Sequence, residues 1–167
     1  MKYHLEILGR YNQWFNSNIY LAASRLSEKD LAENHGAFFG SILGTLNHIM
    51  VGDIIWLKRF AKHPSSMVSL SGVVELASPT SLDQIIYNDF ANLNSQRIGL
   101  DKQIIAWLGE ISDTDLDNCI DYKTTMGETH RKQYSSLILH FFHHQTHHRG
   151  QVSTLLSQLG IDIGDTD

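Results

Sequence analysis

Apolar residues recur at three- and four-residue steps along most of the chain. That spacing lines side chains up on one face of a helix. Leu5, Leu8, Tyr11, Phe15, Ile19 and Ala22 keep the step and predict a first helix of about 20 residues. Ser27-Glu28-Lys29-Asp30 reads as a turn or a short helix start, and His35 to Gly40 as a loop. A second helix is predicted from Ser41 to Lys62, with Leu43, Leu46, Met50, Ile54, Leu57 and Phe60 facing inward and Ser41 capping its start. His63-Pro64-Ser65-Ser66 stops it, because the residue before a proline avoids helical dihedrals. Residues 64–81 are rich in Ser, Gly and Pro and read as a connecting loop. Thr80 or Ser81 would cap a third helix, whose inner face is Leu82, Ile85, Ile86, Phe90, Leu93, Ile98, Ile104, Ile105 and Leu108. Beyond Gly109 the pattern changes. Cys119 to Tyr122 and Thr129 to Gln133 predict two short strands around a turn at Met126-Gly127-Glu128. A fourth long helix begins near Tyr134 and is ended by Gly160. Four long amphipathic segments joined by polar connections predict an all-α fold, a four-helix bundle with a small β-hairpin before the last helix. Residues 1–167 are expected to form one domain.

Composition narrows the function classes. With 42% apolar and 19% charged residues, the chain has the balance of a globular protein. A net charge of -5 argues against nucleic-acid binding, which needs clustered Lys and Arg. The short basic run Lys58-Arg59-Phe60-Ala61-Lys62 reads as a solvated helix end. Cys119 is the only cysteine, so the chain can form neither an internal disulfide nor a cysteine zinc cluster, which fits a reducing cytoplasm. The start Met1-Lys2-Tyr3-His4-Leu5-Glu6 lacks the apolar core of a signal peptide, and no stretch reaches the ~20 apolar residues of a membrane helix.

The candidate chemistry is histidine. His140, His143, His144, His147 and His148 fall within nine residues of the fourth helix. His140, His144 and His148 form a column one turn apart, with His147 beside it. Two imidazoles so spaced can grip one metal ion, although spacing alone leaves the pairs 140/144, 144/148 and 143/147 open. A third ligand must come from elsewhere. His48 lies inside the second helix among Leu46, Ile49 and Met50, while His4 is near the chain start and His35, His63 and His130 read as loop or strand-edge residues. The plainer alternatives are a histidine-rich polar face and, for His48, a neutral core residue.

His144-Gln145-Thr146-His147-His148-Arg149-Gly150-Gln151 resembles the hallmark of the DinB/YfiT-like superfamily of metal-binding four-helix bundles. Leu46 to Trp56 is similar to that family's second-helix segment, Tyr11 to Asn16 to its first-helix motif, and Tyr122 to Gly127 to its strand and turn. The resemblance implies a divalent metal ion (zinc, nickel, iron or manganese) on His48, His144 and His148. His140, His143 and His147 then become supporting or packing residues, with His147 lining the site or packing between helices. Gln151, one turn past His148, could orient a ligand or metal-bound water, or cap a neighbouring backbone group. Gly150 is expected to let a neighbouring helix approach, Arg149 to form a surface or interface salt bridge, and Asp162, Asp165 and Asp167 to make a solvated tail. Tyr11, Trp14 and Phe15 are expected in the core. The resemblance further implies a homodimer and a metal-dependent enzyme, a thiol transferase or hydrolase, that activates a low-molecular-weight thiol or water against a small electrophilic substrate. The alternative is a non-catalytic metal-binding module of a stress response. Gln145 stands where zinc proteases of the His-Glu-x-x-His type carry their general base, so a protease mechanism is not expected.

Overall fold

The structure is a computed structural model and describes residues 1–65 and 67–166. Among the described residues seven α-helices and two strands follow in chain order: α1 (Lys2–Ala23), α2 (Glu28–Ala32), α3 (Ile42–Phe60), α4 (Ser71–Glu75), α5 (Phe90–Glu110), α6 (Asp113–Asp117), β1 (Cys119–Lys123), β2 (Thr129–Gln133) and α7 (Tyr134–Gln158). The four long helices form the bundle. α1 packs on α5 and α7, and α3 packs on α7 and α5. The strands pair antiparallel, with Tyr122 opposite His130, and lead directly into α7.

α3 is the central element. Ser41 caps it by accepting a hydrogen bond from the Gly44 N–H at 2.9 Å. Every residue from Ile42 to Ile54 is buried, so this part of α3 is covered on all sides. Toward its C-terminus, Phe60 stacks on Trp107 with ring centroids 5.1 Å apart, and the Trp107 indole N–H donates to the Tyr134 hydroxyl at 3.0 Å. Phe141 closes the same cluster edge-on against Phe60. These aromatics tie α3, α5 and α7 together, and truncating one of this size to alanine costs about 3–5 kcal/mol.

The third long helix departs from expectation. It begins at Phe90, not near Ser81, and Asp89 is its cap, accepting from the Asn92 N–H at 2.7 Å. Leu82 and Ile85 are exposed instead of lining the core. Helical hydrogen bonding fails here because Asn47 of α3 takes over the backbone. Its Oδ1 accepts from the N–H groups of Ile86 and Tyr87, both at 2.9 Å, and its Nδ2 donates to the Tyr87 carbonyl at 3.1 Å. The segment is thereby laid across α3. The connection read as loop over 64–81 contains α4 and a single 3-10 turn at Val68–Leu70, while Ser66 lies outside the described residues. Trp14, expected in the core, is 40% exposed, whereas Phe15 is buried. No helix among the described residues is long and apolar enough to cross a membrane.

Candidate metal centre

His48 from α3 meets His144 and His148 from α7. The Nε2 atom of His48 lies 3.1 Å from the Nε2 of each. Of the pairs that spacing left open, 144/148 is the one brought against His48. Among the described residues these are the only three or more histidine, cysteine or acidic side chains whose ligand atoms converge, all within 4.8 Å. No carboxylate or thiol of the described residues joins them as a fourth donor.

Neighbouring groups fix each ring. The His48 Nδ1–H donates to the Leu82 carbonyl at 2.7 Å. A carbonyl can only accept, so the proton sits on Nδ1 and the Nε2 lone pair faces inward. The segment held across α3 by Asn47 thus supplies the partner of His48. On α7 the His148 Nδ1–H donates to Gln151 Oε1 at 2.8 Å, and Gln151 Nε2 donates to His147 Nε2 at 3.3 Å. His148 therefore also presents a bare Nε2. Gly52 makes room for His144, because a Cβ there would stand 2.6 Å from the ring's Cε1. Phe39 lies flat on His48, centroids 3.7 Å apart at 16°, and meets His148 edge-on.

Burial, more than any other influence, pushes all three imidazoles below their ordinary pKa. His144 falls furthest, to about 3, because the other histidines add like-charge repulsion to its burial. Neutral imidazole is the form that ligates metal. Two lone pairs facing each other at 3.1 Å repel unless a cation stands between them. Metal–nitrogen bonds of about 2.0–2.1 Å place neighbouring nitrogens about 2.9–3.4 Å apart, depending on bond angle. The donor set therefore fits a divalent ion of the imidazole-accepting kind, zinc, nickel or iron among them.

The other sequence candidates divide. Gln151 reaches His148 and orients it. His147 is exposed and bonds to Gln151, flanking the site without entering it. His140 packs edge-on against Trp56 at 5.1 Å and lies 6.4 Å from the His144 ring, beside the cluster. His63 lies in the connection after α3, as expected. It is buried and stacked on Tyr134 at 4.6 Å. A Cβ at Gly150 would meet nothing within 4 Å, so that glycine admits no neighbouring helix. The largest correction is Arg149, which is 1% exposed and not on the surface. Its guanidinium donates to Asn12 Oδ1 and, at 3.2 Å, to Asn16 Oδ1. Its charge belongs to a buried set with Asp53, Arg97 and Asp101, in which Arg97 pairs with Asp53 and, at 2.8 Å, with Asp101. Burial raises Asp53 to about 6 and lowers Arg149 to about 10. Sequence reasoning missed this set, and also the roles of Phe39, Gly52 and the Leu82 carbonyl.

The family model described as "DinB family" matches residues 1–167. The chain is similar to Protein DinB of Bacillus subtilis (strain 168), with 24% identity over 160 residues covering 96% of this chain and 88% of that protein.

Proposed function

The chain belongs to the DinB family, and from that premise we propose that His48, His144 and His148 hold a divalent metal ion at the centre of a metal-dependent enzyme. The reaction class is activation of a thiol or water against a small electrophile, thiol transfer foremost. The observation that carries the reading is the convergence of three neutral Nε2 donors with no fourth histidine, cysteine or carboxylate among the described residues. A divalent ion held by three neutral imidazoles keeps its full charge and an open position, so a thiol or water bound there becomes acidic. The chain's own residues supply the setting. Leu82 and Gln151 lock the His48 and His148 rings in the ligating tautomer. Phe39 covers the His48 face and keeps water from it. Gln145, buried and adjacent to His144, contributes no ionisable base.

The test pairs elemental analysis of untagged protein with turnover assays on thiol-transfer, ester and amide substrates, with and without chelator. Expected are one equivalent of metal, its loss in the triple variant His48→Ala, His144→Ala, His148→Ala, and activity that chelator abolishes. Metal retained by the triple variant sinks the ligand assignment. Stoichiometric metal without turnover on any substrate favours the non-catalytic module instead. A cytoplasmic homodimer belongs to the same proposal. The exposed apolar row Tyr3, Ile7, Trp14 and Leu21 along α1 supports the pairing, and light scattering in solution tests it.

A further inference from the structure

A second site stands at the other end of α3. Lys58 and Arg59 of its last turn and Lys62 just past its end, with Lys123 of β1, line a cleft of about 610 Å³ whose remaining walls are Ile55, Ala61, Val74, Pro79 and two hydroxyls, Ser78 and Thr124. No carboxylate lines it among the described residues, although the whole chain carries net charge -5. A cavity of about 370 Å³ shares Arg59, Lys62 and Lys123 with it, and its one carboxylate, Asp121, faces Arg131 at 3.4 Å. The cations therefore accumulate here without internal neutralisation, and the volume suits an organic molecule rather than a bare ion.

The cleft is built, not merely charged. Lys58 directs its ammonium onto the carbonyls of Val74, at 3.1 Å, and Leu76 and onto the Ser78 hydroxyl, at 3.1 Å. All three donors are spent, so Lys58 holds the far wall against α3 and leaves its charge at the cleft. The Arg59 guanidinium lies 4.5 Å over the Trp56 ring and 5.1 Å over the Tyr122 ring. One N–H donates to the Lys123 carbonyl at 2.8 Å, which fixes the plane and leaves further donors of the fork for a ligand. Arg59 stands on the same side of α3 as His48, about 16 Å further along the helix, too far for one small anion to engage both.

We propose that this cleft binds a small organic molecule through a dianionic phosphate group. Arg59, Lys62 and Lys123 take the phosphate oxygens, and Ile55, Val74 and Pro79 take the apolar body. A phosphate presents three acceptor oxygens to a guanidinium and two ammoniums, a match that a single carboxylate makes less fully. The proposal is independent of the metal.

Amide shift mapping on isotopically labelled full-length protein tests it, with phenyl phosphate, inorganic phosphate and benzoate as probes. Phenyl phosphate is expected to shift the amides of residues 58–62 and 123–124 saturably, and to bind at least about tenfold more tightly than benzoate. It also binds more tightly than inorganic phosphate. The double variant K62Q/K123Q, altered only at exposed side chains, is expected to weaken binding at least about tenfold, while K102Q on the exposed face of α5 leaves it unchanged. Shifts centred on His144 to His148, affinity unchanged in K62Q/K123Q, equal weakening by K102Q, equal affinity for benzoate, or tighter binding of inorganic phosphate each overturn the proposal.

Discussion

The proposed ligand set depends on Gln151, which is not one of the proposed donors. Its Oε1 accepts a hydrogen bond from the His148 Nδ1–H, and its amide is oriented in turn by His147. Gln151→Leu keeps the side chain's bulk and removes that acceptor, freeing the ring to rotate and to protonate at Nε2. Metal affinity is expected to fall about 10–100-fold, read by competition with a chromophoric chelator, while the far-ultraviolet circular dichroism is unchanged. Equal affinity in both proteins would mean that His148 is held by packing alone. A helix puts residues four apart on one face, which left three histidine pairs open in the sequence, and only the family resemblance singled out His144 and His148. The Leu82 carbonyl was not legible there, since every residue has a carbonyl and only the fold decides which one arrives at His48. Arg149 was misread despite an available signal. It shares a face of α7 with Gln145, Val152 and Leu156, all buried, so the helical period itself assigned it to the interior.

Elements meet through the buried ions as much as through the apolar core. Asp53 of α3, Arg97 and Asp101 of α5, and Arg149 of α7 balance two negative against two positive charges, with Asn12 and Asn16 of α1 bonded to them. Each of the four long helices therefore contributes to one polar set. Arg97→Met removes the cation shared by both aspartates and leaves them against Arg149 alone. Unfolding in urea is expected to show a loss of about 3–5 kcal/mol. Adding Asp53→Leu should recover part of that loss, because the stranded carboxylate goes with it. A double variant no more stable than the single one would show that the ions do not act as a pair. The four long helices were readable from apolar spacing, and the hairpin from the glycine turn between its two short strands. The start of α5 was not. Leu82, Ile85 and Ile86 keep helical spacing by coincidence, and the side chain of Asn47, distant in sequence, overrides it.

Charge over the whole molecule is averaged in composition and segregated in space, so a net -5 gave no warning of a cationic cleft and seemed to make Lys58 to Lys62 an ordinary helix end. The same segregation sets how the fold responds to acid. His144 is lowered from an ordinary value near 6.5 to about 3, with His48 and His148 lowered in the same direction, so the unfolded chain binds more protons over that interval. The stability these histidines contribute is complete above pH 6.5 and lost as pH falls toward 3. Asp53, raised to about 6, acts oppositely, as does Asp101: their contribution is present below pH 3.8 and lost as pH rises through the folded value. Three lowered histidines act against two raised aspartates, and the metal-free protein is expected to melt at progressively lower temperature from pH 6.5 to pH 4. Metal at a thousandfold excess over Kd adds about 4 kcal/mol, which for a chain of this size raises Tm by about 8–16 °C. Because imidazoles held neutral need shed few protons to bind, at least about half of that rise should survive at pH 5.5. Differential scanning fluorimetry at pH 7.5 and 5.5, with and without zinc or nickel, measures both effects. A rise that vanishes at pH 5.5 would mean the three rings titrate as ordinary histidines, and a rise of the same size in His144→Ala would place the ion elsewhere.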